Sequence, residues 1–258
     1  MRVIALQYDI AWENQAANFD KVRQLLHRAS PCPGALVVLP EMFATGFSMR
    51  VELVAEPESG PTEQFLSELA RTLQCTIVGG KVSPGKDGKG RNEAVVFNDR
   101  GGLVARYAKQ RTFNPGGEGQ HYECGVHHAV VATGAWRWVP LVCYDLRFPE
   151  LFRRAVREDV QLFVVIANWP LERLEHWHIL LRARAIENQA FVVGVNRCGQ
   201  SPQLAYGGGS LVVGPRGEVL AQAGDRETVL DLQLDLETLL AYRRNFPVLA
   251  DMQGGQAG

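Results

Sequence analysis

Leu141-Val142-Cys143-Tyr144-Asp145-Leu146-Arg147-Phe148-Pro149-Glu150 reads as a strand, a sharp turn and then a helix that opens at Pro149. Cys143 therefore falls at a strand end. Backbone N–H groups and the helix dipole favour an anion there, and a thiol so placed is held partly as thiolate, the form that attacks carbonyl carbon. Cysteine is also among the residues most often buried and inert, and for a cysteine met in isolation inert packing is the better reading. Other positions have to decide between the two.

Outward from this turn, short apolar and β-branched runs recur at Val3 to Leu6, Ala35 to Leu39, Thr76 to Val78, Ala94 to Phe97, Ala129 to Val131, Leu162 to Ala167, Phe191 to Val195, Ser210 to Val213 and Val229 to Leu232. Helical spacing lies between some of them. Phe19, Val22, Leu25, Leu26 and Ala29 form one amphipathic face, and Phe65, Leu66, Leu69 and Leu73 form another after Pro61. A third helix is expected from Leu171 to Asn188, after Pro170. Many short strands with few helices predict an α/β fold with more than one layer of sheet and helices outside. Gly79-Gly80, Pro84 to Gly90 and Gly207-Gly208-Gly209 are expected in turns or loops. The chain reads as a single domain over 1–250 followed by a disordered tail over 251–258.

Composition narrows the function classes. With 258 residues and 46% hydrophobic content the chain can bury a large core. Its 27 basic and 28 acidic residues leave a formal charge of −1, with no basic stripe for a phosphate backbone, so nucleic acid is an unexpected partner. No stretch has the length and apolarity of a membrane span, and the N-terminus lacks a signal-peptide pattern, which predicts a cytoplasmic protein. Cys32, Cys75, Cys124, Cys143 and Cys198 are too widely spaced for a disulfide framework or a zinc ribbon. His127-His128 and His176-Trp177-His178 have no third ligand nearby, so no metal site is expected. The glycine clusters match no dinucleotide or phosphate-binding fingerprint.

Three further positions bear on Cys143. Glu41 directly follows the buried run Ala35-Leu36-Val37-Val38-Leu39-Pro40, an unusual place for a carboxylate. Lys109 ends the extended run Leu103 to Ala108, and Glu118 lies in the glycine-rich loop that follows. Taken singly, such a lysine and such a loop carboxylate are ordinary surface charges. As a set with Leu39-Pro40-Glu41-Met42-Phe43, Tyr107-Ala108-Lys109, Gly117-Glu118 and the helix Arg182 to Gln189 leading to Asn196-Arg197, they carry a resemblance. The chain resembles the nitrilase superfamily of carbon–nitrogen hydrolases along nearly its whole length.

That resemblance implies a four-layer αββα sandwich, a homodimer, a small-molecule amide substrate and no cofactor. It implies Cys143 as nucleophile, Glu41 as general base and acid, Lys109 and the backbone N–H of Tyr144 as oxyanion donors, and Glu118 as the group that orients Lys109 and the substrate. The chain departs from many members after Lys109, where Gln110-Arg111-Thr112-Phe113 replaces a His-Leu-Phe segment. Cys143-Tyr144-Asp145 looks like the amidase members, and within these Glu41 to Met49 and Ala167-Asn168-Trp169-Pro170 look like the bacterial ω-amidase group, which removes the terminal amide of 2-oxoglutaramate. A pocket for that substrate needs aromatic walls and a cation or amide group for the far carboxylate. Phe43, Phe47, Tyr144 and Trp169 are the candidate walls. Arg147 is the candidate cation, with an ion pair to Asp145 or Glu150 as the alternative use of its charge. The competing functions are an N-carbamoyl or short aliphatic amide hydrolase, and a catalytically silent metabolite-binding member.

Overall fold

A computed structural model describes residues 1–253. The first part of the chain gives β1 (Arg2–Gln7), β2 (Leu36–Val38), β3 (Thr76–Pro84), β4 (Gly90–Phe97) and β5 (Leu103–Ala108). A second set follows: β6 (Val131–Thr133), β7 (Trp136–Val142), β8 (Leu162–Ala167) and β9 (Phe191–Asn196). After the hairpin β10 (Cys198–Gln200) and β11 (Ala205–Gly207), β12 (Leu211–Val213) and β13 (Val219–Gln222) extend the second set, and β14 (Thr228–Gln233) returns to the first. The two six-stranded mixed sheets have the orders β14-β1-β2-β3-β4-β5 and β13-β12-β9-β8-β7-β6. The helices are α1 (Gln15–Ala29), α2 (Val51–Val54), α3 (Pro61–Leu73), α4 (Glu118–His121), α5 (Pro149–Val156), α6 (Leu174–Asn188) and α7 (Leu236–Asn245).

Strand alternation sets the layers. Ile4, Leu6, Val37, Ile77 and Val95 face a cluster with Val22, Leu25 and Leu26 of α1 and Phe65, Leu66 and Ala70 of α3. Their neighbours Val3, Ala5, Leu36, Val38, Val78, Ala94 and Val96 point the other way, into a core shared with the second sheet and with α5 and α6. The result is the expected αββα sandwich. Both outer helices of the first sheet start and stop where local chemistry directs: Asn14 Oδ1 accepts the Ala17 N–H at 3.2 Å, Pro61 opens α3, and Ser30 and Gln74 close their helices in the left-handed region. The helix expected from Leu171 begins as a 3₁₀ turn, Leu171–Arg173, and becomes α-helical at Leu174.

Two findings depart from expectation. Gly79 and Gly80 are not in a turn but in the middle of β3. The turn carrying Glu41 lies directly on them: a Cβ on Gly80 would sit 2.3 Å from Met42 N and 2.6 Å from Glu41 Cα. Glycine in a strand interior here marks the close approach of a second backbone segment. The other concerns the expected tail over 251–258. Residues 251–253 complete the 3₁₀ turn Val248–Gln253, with Met252 against the core, while 254–258 lie outside the described residues.

Pro140 sits within β7, although proline is ordinarily confined to sheet edges. Its neighbour β6 pairs only with Trp136 to Trp138, so beyond Trp138 the strand is bonded on one side alone, to β8. The end of β7 is thus an edge that leads out of the sheet toward Cys143.

Candidate active site

Cys143 opens the 3₁₀ turn Cys143–Arg147 with a φ of 48°. A left-handed backbone at a residue with a Cβ is strained, by roughly 1–2 kcal/mol, and it turns the chain sharply off the strand. Asp145 holds that conformation. Its Oδ2 accepts the Val142 N–H at 3.1 Å and the Tyr107 hydroxyl at 2.8 Å, and its Oδ1 accepts the N–H groups of Gln110 at 3.2 Å and Arg111 at 2.9 Å. One carboxyl therefore ties the cysteine turn, on the second sheet, to the end of β5 on the first. Complete burial lifts the Asp145 carboxyl to about 6, against the opposing pull of these donors and of Lys109.

Glu41, fully buried, follows β2 through Pro40 in the turn that rests on Gly80. Its Oε1 accepts from Asn92 Nδ2 at 2.7 Å and Lys109 Nζ at 3.2 Å, and its Oε2 accepts the Asn168 N–H at 2.7 Å. The Asn168 side chain donates to the Glu41 carbonyl at 2.6 Å. Lys109, just past β5, is 1% exposed, and its ammonium reaches both oxygens of Glu118 at 2.9 and 2.8 Å. Glu118 opens α4 rather than lying in irregular loop. It also accepts from Asn92 at 3.1 Å and from the backbone N–H of Phe113.

The charge arithmetic is lopsided: two carboxylates surround one ammonium. Burial alone would lower the Lys109 pKa, but the charges of Glu118 and Glu41 more than compensate and raise it, so the lysine stays protonated. The Cys143 thiol is pushed well above its ordinary value, first by burial and then by the negative charge of Glu41, with Lys109 opposing. The resting cysteine is accordingly a thiol, not the thiolate that its strand-end position alone suggested. It needs a base at the moment of attack.

Cys143 and Lys109 open onto a small cavity lined also by Phe47, Phe113, Tyr144, Arg147, Trp169 and Arg173. Phe43 is absent from it. The Phe43 ring, fully buried, instead packs with Phe19 and Phe65 at 6.0 and 6.1 Å between centroids, because the turn after Glu41 directs it to the layer of α1 and α3. Neither ion pair considered for Arg147 forms: Asp145 is engaged as described, and Glu150 pairs with Arg111 at 3.2 Å. The Arg147 guanidinium lies 4.8 Å from the Trp169 ring centroid, with Nη2 3.2 Å from His176 Nδ1. Sequence reasoning missed Asn92, Phe113 and Arg173, and gave Asn168 no role. Asn92 carried no signal, since it stands between Arg91 and Glu93 ahead of the apolar run of β4; Phe113 and Asn168 lie in loops and Arg173 in a 3₁₀ turn, without a periodic pattern.

The carbon-nitrogen hydrolase family model matches residues 2–244. The chain belongs to that family. Among relatives of this carbon–nitrogen hydrolase, an ω-amidase of Yersinia enterocolitica is 39% identical, over 97% of this chain and 96% of its own length. A 2-oxoglutaramate amidase of Bacillus subtilis is 30% identical, over 97% of both chains. A solved CN-hydrolase superfamily protein of Xanthomonas campestris, with an arsenic adduct in its active site, superposes with a TM-score of 0.91 at 34% identity, covering 100% of this chain and 98% of that one. This carbon–nitrogen hydrolase is an amidase. Among the described residues, no group of three or more His, Cys, Asp or Glu side chains is placed to hold a metal ion, and no helix is long and apolar enough to cross a membrane.

Proposed function

We propose that the protein hydrolyses the terminal amide of a small dicarboxylic acid monoamide, with 2-oxoglutaramate as substrate and 2-oxoglutarate and ammonia as products. The observation that carries this reading is Arg147: a guanidinium without a carboxylate partner among the described residues, stacked on Trp169 in the wall of the cavity that holds Cys143. It suits the carboxylate at the far end of such a substrate. The names of the two relatives, an ω-amidase and a 2-oxoglutaramate amidase, support the same substrate class.

In this mechanism Glu41 takes the proton of Cys143 as the sulfur attacks the amide carbonyl. Lys109 and the Tyr144 backbone N–H stabilise the oxyanion, an effect typically worth several kcal/mol. Glu41 then returns the proton to the departing ammonia, and water activated by the same carboxylate hydrolyses the thioester. Glu118 holds Lys109 in place. The raised thiol pKa fits this order, in which proton transfer accompanies attack. The same reading has the enzyme work in the cytoplasm as a homodimer; exposed Ile179 and Ile186 of α6 and Val219 and Leu220 of β13 support a covered apolar face.

Ammonia release from 2-oxoglutaramate, succinamate, glutamine, an N-carbamoyl amino acid and a simple nitrile tests the proposal. The first two are expected to be preferred, Cys143→Ala to be inactive, and Arg147→Ala to lose that preference mainly through KM. Turnover confined to the carbamoyl compound or the nitrile would overturn the substrate, and an active Cys143→Ala would overturn the nucleophile.

A further inference from the structure

We propose that Asn92 is a positioning residue that directs the Cys143 proton to one oxygen of Glu41, Oε2. The inference rests on the reading of Glu41 as the base. Asn92 lies in β4 and is 2% exposed. Its amide nitrogen donates to Glu41 Oε1 at 2.7 Å and to Glu118 Oε1 at 3.1 Å. The orientation of the amide is dictated by its surroundings: the atom facing two carboxylate oxygens has to be the NH₂, because a carbonyl there would meet only acceptors. The Asn92 carbonyl oxygen is left buried without a hydrogen-bond partner. An orphaned buried carbonyl destabilises a fold, so this side chain is held by its nitrogen alone.

The consequence follows from counting acceptor sites. Each carboxylate oxygen has about two. Both sites of Glu41 Oε1 are taken, by Asn92 and by Lys109 Nζ at 3.2 Å. Neither donor can turn away a hydrogen, since neither the ammonium nor the amide nitrogen is an acceptor. A proton arriving at Oε1 would have to expel one of them. Oε2 accepts the Asn168 N–H at 2.7 Å, but its second contact, Asn168 Nδ2, is at 3.4 Å, and that nitrogen is better engaged with the Glu41 carbonyl at 2.6 Å. The open site is on Oε2.

The S–H bond of Cys143 therefore breaks with its proton passing to Oε2, while a sulfur electron pair forms the C–S bond and the carbonyl π pair moves to oxygen. On collapse the oxyanion pair restores the carbonyl and the C–N pair leaves with nitrogen, which takes the Oε2 proton and departs as neutral ammonia. Through both steps Oε1 keeps its bond to Lys109, so the oxyanion donor is undisturbed by the proton traffic. Without Asn92 the two oxygens of Glu41 become alternatives, and the proton is no longer confined to the one that faces away from Lys109.

Steady-state kinetics of Asn92→Ala, Asn92→Asp and Asn92→Ser with succinamate between pH 5 and 9 test this. Asn92→Ala is expected to lose about ten- to a hundredfold in kcat with KM nearly unchanged, and the acid limb of its kcat profile should move to higher pH, because the base loses a donor that favoured its ionised form. Asn92→Asp, nearly the same size, should be worse than Asn92→Ala, since it sets a third acceptor against two carboxylates. Asn92→Ser retains a donor and should recover part of kcat at a melting temperature near that of the wild type. If Asn92 only filled space, Asn92→Asp would outperform Asn92→Ala and the pH profiles would match the wild type, and that result overturns the inference. Glu41→Gln, run in parallel, separates the two layers of the argument. An active Glu41→Gln removes the base and the inference together, whereas an inactive Glu41→Gln beside Asn92 variants of unaltered kcat and profile sinks the inference alone.

Discussion

Asp145 has no contact with the substrate cavity, yet it fixes where the chemistry happens, because it joins the cysteine turn to the strand end that presents Lys109. Asn at this position cannot serve: whichever way its amide turns, an NH₂ meets donors. Asp145→Asn is therefore expected to lower kcat at least about tenfold and to destabilise the fold by roughly 1–3 kcal/mol for the donors left unpaired. It should also change the pH dependence of stability. The Asp145 carboxyl stands at about 6 in the fold against an ordinary 3.8, so the folded state binds this proton more tightly than the unfolded chain. That contribution is fully present below about pH 4 and is lost as pH rises to about 6, an amount of roughly 3 kcal/mol. Urea denaturation of wild type and variant across this window should show the wild-type advantage narrowing as pH rises; parallel curves would rule out the raised carboxyl. Residues of this kind were only half legible in the sequence. Glu41 stood out because it directly follows a buried apolar run, whereas Lys109 and Cys143, ordinary when taken singly, became legible only in the set that carries the resemblance. Asp145 stood beside the cysteine, but its partners Tyr107, Gln110 and Arg111 come from another sheet, and no local pattern announces them.

The strand β3 shows how one element can serve a site without contributing a side chain to it. Its Gly79 and Gly80 let the Glu41 turn lie on the strand, with the Phe43 N–H donating to the Gly80 carbonyl at 3.3 Å and the Gly80 N–H donating to the Pro40 carbonyl at 3.1 Å. Gly80→Ala would drive a methyl into Met42 N and Glu41 Cα, both backbone atoms that cannot swing aside. The expected result is a loss of about 1–3 kcal/mol in stability and a larger proportional loss of kcat, read by urea denaturation and by kinetics on the same preparation. Wild-type kcat in this variant would show that the turn tolerates displacement. Helices with a proline at the first turn and a clear apolar face, such as α3, were legible in outline. The glycine pair was read as a turn because glycine signals both a bend and a close approach, and only the second chain segment distinguishes them. The helix α7 escaped notice for a different reason: it buries only Leu239, so its capping by Asp235 was the sole local sign of it.

At the scale of the whole molecule, the order of layers was reached through the resemblance and not through periodicity, which shows strands but not which sheet they join. β14 illustrates the difficulty, since it pairs with β1 across nearly the entire chain, Arg2 with Gln233. The apolar side chains left on the outer layer, Ile179 and Ile186 of α6 with Val219 and Leu220 of β13, lead to an expected sedimentation mass of twice the 28.5 kDa chain. Ile179→Asp with Ile186→Asp should yield the monomer, and a wild type that sediments as a monomer at micromolar concentration would dismiss the homodimer. The placement of the site has one more result. Glu41, Asn92, Lys109 and Glu118 belong to the first half of the chain, and Cys143 and Asn168 to the second, with Glu41 127 positions away from the residue whose backbone N–H completes its hydrogen bonding. A half-made molecule on the ribosome holds a base without a thiol, and a misfolded one holds a thiol without a base. Hydrolytic power thus arrives only when the two halves are folded together, so a nascent or damaged copy cannot hydrolyse amides through this site. Each turnover is, in effect, a certificate that the chain has finished folding.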